Sequence, residues 1–138
     1  MHDLPITTVT AALLAVIFIV LSVRVGAARG KSKASLGDGS GGLIPAGEEH
    51  TVPLLVACRS HANFAEYVPL ALILIGLAEH NGAPRTLLLA VATALVIGRI
   101  VHPFGMGRKI PNPFRAGGAL LTILAIATAA ITLLVRSV

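Results

Sequence analysis

Arg59, Asn63 and Glu66 interrupt the otherwise apolar stretch Val52–Ala78. At about 100° per residue they fall within roughly 60° of one another on one helix face. Tyr67 sits at the edge of that stripe, and His61 points away, toward a different neighbour. An ionisable side chain at bilayer depth costs about 2.5–3.5 kcal/mol on insertion scales, so such groups face a bundle interior or a polar cavity. Guanidinium groups recognise carboxylates through paired charge-assisted hydrogen bonds, and a solitary buried glutamate recognises an ammonium. A small zwitterion with an extra carboxylate satisfies both. Spacing alone leaves a second reading open, in which Arg59 and Glu66 neutralise each other or pair with Arg99 and simply hold a bundle together.

Other residues join this constellation through topology. Arg59 and Glu66 lie in the half of their span near the first connection, and Arg99 and His102 lie in the half of theirs near the third. With Arg24 or Arg29 and Arg115 they define one end of a bundle, open to water at its mouth and to lipid at its flanks. That position suits two reactants of different solubility. His102 reads either as a proton carrier or as an interface residue, and Cys58, beside Arg59, as an inert buried thiol. Glu79-His80 reads as a solvated helix end. The Gly37–Gly42 segment lacks the lysine and the preceding strand of a phosphate-cradling loop and reads as a surface connection. A lone cysteine excludes an intramolecular disulfide framework and no zinc-ligand spacing occurs, so no metal is expected.

The elements that must position these residues are membrane spans. Of the 138 residues 55% are hydrophobic and only 12% charged, and the mean hydropathy is +0.87. Leu4–Val23 and Ala116–Val135 are uncharged runs matching the roughly 20 residues needed to cross the hydrocarbon. Val52–Ala78 and Pro84–Phe104 complete four spans, at about 4–29, 50–80, 84–106 and 113–137 of one domain. Cations follow the first apolar run rather than preceding it, so the first span is expected to be retained rather than cleaved as a signal peptide. The net charge of +5 comes from cations flanking spans, without the basic stripe and interleaved aromatics of a nucleic-acid binder. Arg24, Arg29, Lys31 and Lys33 follow span one and Arg108, Lys109 and Arg115 follow span three, whereas the other side carries Arg85 and Arg136. Loops one and three are therefore expected in the cytoplasm. Asn112-Pro113 predicts the start of the last helix and Asn81-Gly82-Ala83-Pro84 a tight turn. The expected fold is all-α, an up-down-up-down four-helix membrane bundle. Its small enclosed volume favours an oligomer.

The pattern Arg59-x-x-x-Asn63-x-x-Glu66-Tyr67-x-Pro69 resembles the signature of the MAPEG family, the membrane-associated proteins in eicosanoid and glutathione metabolism. Ser35–Gly39 and Arg99–His102 resemble its bacterial branch. The resemblance covers nearly the whole chain. It implies a homotrimer that uses glutathione as co-substrate, without metal, to conjugate lipophilic electrophiles or reduce lipid hydroperoxides drawn from the membrane. By that resemblance Arg24, Arg59, His61, Asn63, Glu66, Tyr67 and His102 hold the tripeptide, with Glu66 on its ammonium and arginines on its carboxylates. His61 stands where one member has a glutamine reaching the ligand from the neighbouring subunit. Arg29, Arg99 and Arg115 are the candidates for stabilising the thiolate. His102 and Met106 replace tyrosines of the eicosanoid members, and the thiolate-stabilising arginine lacks a clear match, so recognition is better supported than catalysis. One family member binds lipid without catalysis, which makes a lipid-binding or scaffold protein the alternative. For a bacterial member the expected location is the inner membrane.

Overall fold

A computed structural model describes residues 4–41 and 48–137. Asp3 before Pro5 reads in the sequence as a helix start, but Asp3 and residues 42–47 lie outside the described residues. Four long helices fall on the four apolar stretches: α1 Pro5–Ser32, α2 Pro53–His80, α3 Arg85–Met106 and α4 Pro113–Ser137, with a 3-10 turn at Glu49–Thr51 before α2. Each of the four is long and apolar enough to cross a membrane. The 28 residues of α1 extend about 42 Å at 1.5 Å per residue, more than the roughly 30 Å of hydrocarbon. Its last turns, with Arg29 and Lys31, therefore reach past the apolar layer.

Local chemistry sets the helix boundaries. Proline opens α1, α2 and α4, where its missing N–H costs nothing. Asn112 Oδ1 accepts the backbone N–H groups of Phe114 (3.0 Å) and Arg115 (3.3 Å), the N-cap that Asn112-Pro113 predicts. Between α2 and α3 the chain reverses at Gly82, whose φ of +69° is disfavoured for residues with a Cβ. In the first connection Ser40 donates its backbone N–H to Asp38 Oδ1 at 3.0 Å. Hydrogen bonds from the Ser40 side chain and backbone hold the Asp38 carboxyl below its ordinary range. That geometry is a local turn in which the one carboxylate is already satisfied.

Helix α2 packs against all three other helices, and α3 and α4 form the most extensive pair. The core runs along Leu14 and Leu21 of α1, Phe64, Ala71 and Ile75 of α2, Leu88 and Leu95 of α3, and Ala125 and Ala129 of α4. The outward faces are also apolar, with Val16, Ile19, Ile73, Ile97, Ile123 and Leu134 exposed. Apolar residues inside and outside are what a helix bundle dissolved in lipid requires. α3 and α4 touch backbone to backbone: a Cβ on Gly118 would lie 2.7 Å from Gly98 O and 2.7 Å from His102 N, and one on Gly105 would meet the Arg115 backbone.

Glu79 is not a solvated helix end. Its carboxylate accepts hydrogen bonds from Ile6 N (2.9 Å), Thr7 N (2.8 Å) and Thr7 Oγ1 (2.6 Å). These are the free donors at the start of α1, where Leu4 supplies no side-chain cap. A carboxylate at the positive end of a helix is favourable, so α2 caps α1 across the bundle. Sequence position hides this because capper and capped helix are more than seventy residues apart. Glu79→Ala is expected to lower stability by about 2 kcal/mol, the scale of charge-assisted hydrogen bonds at a partly exposed site. Thermal unfolding in detergent checks this, and a midpoint equal to that of the parent chain refutes the cap.

Candidate functional site

The most buried of the predicted site residues is Arg99, 2% exposed on α3. Its Nη1 donates to Asn63 Oδ1 at 2.9 Å, its Nη2 lies 3.5 Å from Gly118 O, and its guanidinium carbon stands 5.7 Å from the centroid of the Tyr67 ring. Among the described residues Nε has no hydrogen-bond partner. The close α3–α4 contact at Gly98 and Gly118 allows the Gly118 carbonyl to approach the guanidinium. Asn63 and Tyr67, one turn apart on α2, supply its other side. Among the described residues no carboxylate is bonded to this buried cation.

The remaining predicted residues fall into separate places. Arg24 is exposed on α1 and shares with Arg99 a groove of about 190 Å³ between α1 and α3, walled by Val20, Ile100 and Phe104. Arg59 and Arg115 line a second cavity, also about 190 Å³, at the end of the bundle where α2 and α4 begin. Arg29 Nη2 lies 3.8 Å from Cys58 Sγ, and its Nη1 donates to Ser35 O at 3.3 Å. His61 turns toward α1, with Nε2 3.1 Å from Ser22 Oγ and its ring centroid 4.7 Å from that of Phe18. His102 is buried on α3, with its backbone against Gly118 of α4.

The pairing of Arg59 with Glu66, or of either with Arg99, is not found. Among the described residues neither Arg59 nor Glu66 has an ion pair or side-chain hydrogen bond, and both are exposed. They lie on one face of α2, as the spacing requires, with the half-buried Asn63 between them turned to Arg99. Mutual neutralisation within the chain therefore does not explain why α2 carries these charges. No group of three or more histidine, cysteine, aspartate or glutamate side chains with the geometry to hold a metal ion occurs among the described residues.

Two features were passed over in the sequence. Gly98 and Gly105, seven residues apart, together with the small residues Gly118 and Thr122 four apart, carry a helix-packing signal. Gly26 and Gly30 have the same small-xxx-small spacing but sit beside charges at a helix end, and a Cβ on either would meet nothing within 4 Å. Arg108, beside the predicted Arg115, lines the second cavity. It left no signal beyond its charge, because its placement depends on the α3–α4 connection.

Four membrane-spanning helices around a buried arginine that lacks a counter-charge define a multi-pass integral membrane protein with a polar site built into its helices. The chain belongs to the MAPEG family, whose sequence model matches residues 7–135. It is similar to "Inner membrane protein YecN" of Escherichia coli K12 and of E. coli O6:H1, each 33% identical over 61 residues. That stretch covers 44% of this chain and 47% of each relative, so the chain spans about half the length of the curated relatives it matches. No solved structure matches it.

Proposed function

We propose that the protein binds glutathione at the Arg99 centre and transfers it to lipophilic electrophiles, or uses it to reduce lipid hydroperoxides. The observation that carries this reading is the buried Arg99 guanidinium, oriented by Asn63 and Tyr67, with Nε unpartnered and no carboxylate bonded to it. A carboxylate or thiolate beside the guanidinium would supply the missing charge. Glu66, exposed and unpaired on a membrane helix, needs a cation for the same reason, and the ammonium of the tripeptide is one. Because Glu66 and Arg59 are exposed on α2, the reading includes a homotrimer in which a neighbouring subunit closes the site. Loops one and three face the cytoplasm under this reading, following the positive-inside distribution.

The thiol supplies a nucleophilic sulfur. The residues' share is to bind its carboxylates and ammonium and to place positive charge where negative charge collects. Arg99, or Arg29 or Arg115 from the same end of the bundle, holds the thiolate in its charged form, as neighbouring cations do. The α1–α3 groove shared by Arg24 and Arg99 offers the electrophile an apolar approach from lipid.

A second reading, lipid binding without catalysis, draws on a separate apolar groove of about 400 Å³ between α1 and α3, lined by Ile6, Val9, Leu13, Leu89 and Val96. Glutathione calorimetry on the detergent-purified oligomer separates the two. Saturable binding that weakens about tenfold in Glu66→Gln is expected, the scale of one charge-assisted contact. An assembled oligomer that binds no glutathione at millimolar concentration removes the thiol reading and leaves the lipid-binding one.

A further inference from the structure

The apolar groove of about 400 Å³ between α1 and α3 carries one cation, Arg85, at its mouth. Both helices begin at the same end of the bundle, and the groove runs from Pro5 and Arg85 at that end to Leu13 and Ile97. The helical stretch from Arg85 to Ile97 rises about 18 Å, close to the depth of one leaflet of a hydrocarbon layer roughly 30 Å thick. Its rims, Val9, Leu13, Leu89 and Ile97, are exposed. Thr10, the buried polar residue on its wall, spends its hydroxyl on Ile6 O at 2.6 Å. In a membrane such a groove is filled by a lipid tail or by a second copy of the chain.

Charge decides between these two occupants. Arg85 is exposed, and among the described residues no carboxylate lines the groove. Glu79 is within electrostatic reach of Arg85, but both its oxygens are bonded to the start of α1. Asp38, Glu48 and Glu49 precede α2 at the opposite end of the bundle, and Glu66 lies half-way along α2. Among the described residues, a second copy in the same orientation therefore brings no free carboxylate to the level of Arg85, whereas a lipid headgroup brings a phosphate.

We infer that the groove holds one net-negative glycerophospholipid of the phosphatidylglycerol type, with its phosphate on the Arg85 fork and one acyl chain along Val9, Leu13, Leu89 and Val96. Arginine matches phosphate oxygens in pairs, and a long side chain at a helix end carries its charge to the interface, where anionic headgroups lie. The lipid sits in the leaflet where α1 and α3 begin. This assignment rests on the lipid-binding reading for its groove and gives that groove a ligand class and an orientation. It stands alongside the thiol reading, because the groove shares no residue with the Arg99 centre.

The test is native mass spectrometry of the full-length protein, stripped of lipid in detergent and titrated with palmitoyl-oleoyl phosphatidylglycerol or phosphatidylcholine. The parent chain is expected to bind the anionic lipid about tenfold more tightly, the scale of one charge-assisted contact. Arg85→Gln should abolish that preference. Arg136→Gln removes the same charge from an exposed residue at the same end, outside the groove, and should stay within about twofold if recognition is local rather than diffuse. Thr93→Phe, at an exposed position on the groove wall, keeps every charge, fills the acyl channel and is expected to weaken both lipids several-fold. Equal losses in Arg85→Gln and Arg136→Gln, or unaltered binding in Thr93→Phe, overturn the proposal. Equal binding of the two lipids by the parent also overturns it but leaves the lipid-binding reading standing, whereas absence of saturable binding for either lipid removes both. Glutathione binding by Arg85→Gln should equal the parent's, and a parallel loss would refute a separate site.

Discussion

Gly118→Ala destabilises the protein by about 3 kcal/mol, the upper range for overpacking a close contact, and impairs the Arg99 centre with it. The added methyl group would lie 2.7 Å from Gly98 O and 2.8 Å from His102 Cα. Both are backbone atoms of α3 that cannot rotate aside, so α4 must move away. The same residue's carbonyl accepts the Thr122 hydroxyl at 2.9 Å and faces Arg99 Nη2 at 3.5 Å. Separation of the helices therefore withdraws an acceptor from a buried guanidinium that already has one unpartnered nitrogen. Gly117→Ala is the matched control, because a Cβ there meets nothing within 4 Å. Removing a helical glycine should leave stability unchanged or raise it by up to about 1 kcal/mol. Thermal unfolding of the two variants in one detergent decides the matter, and equal midpoints would show that α3 and α4 are not in backbone contact.

Arg99→Met separates the two explanations of the buried arginine. If Arg99 serves the bundle, its removal breaks a buried polar network and costs about 3–5 kcal/mol, as truncation of a buried charge pair does. The contacts argue otherwise. Arg99 bonds to a neutral amide and approaches a carbonyl, with no carboxylate bonded to it, so methionine of similar length removes an uncompensated charge and leaves Asn63 Oδ1 with an unmet acceptor. The expected result is stability within about 1 kcal/mol of the parent. Glutathione binding should fall roughly thirtyfold to a hundredfold, corresponding to about 2–3 kcal/mol of charge-assisted contact. Unfolding with denaturant gives the first quantity and calorimetry the second. A large stability loss with unaltered glutathione binding would make Arg99 a structural residue and remove the basis of the functional reading.

The contrast between Glu66 and Glu79 shows where sequence reasoning holds and where it stops. Glu66 is visible as an expense: a carboxylate within an apolar run needs a reason, and among the described residues nothing pairs with it. Glu79 sits beside a turn, where a charge needs no explanation, yet it accepts three hydrogen bonds at the start of α1. The glycines differ in the same way. Gly26 and Gly30 have the spacing of a packing motif, yet a Cβ there would meet nothing within 4 Å, whereas Gly98, Gly105 and Gly118 bring two helices into backbone contact.

The sequence by itself determined the membrane character, the four spans, the Asn112 cap, the Asn81–Pro84 reversal and the shared face of Arg59, Asn63 and Glu66. Each follows from composition or from a period within one segment, where the chain's own geometry sets the relation between residues. Only the tertiary structure decided that Asn63 serves Arg99, that Arg59 joins Arg108 and Arg115 at a separate cavity, and that Glu79 caps α1. Those relations depend on how the helices are rotated and offset against one another. In lipid that rotation is set by close contact at small residues rather than by an apolar stripe facing away from water, because these helices are apolar nearly all round.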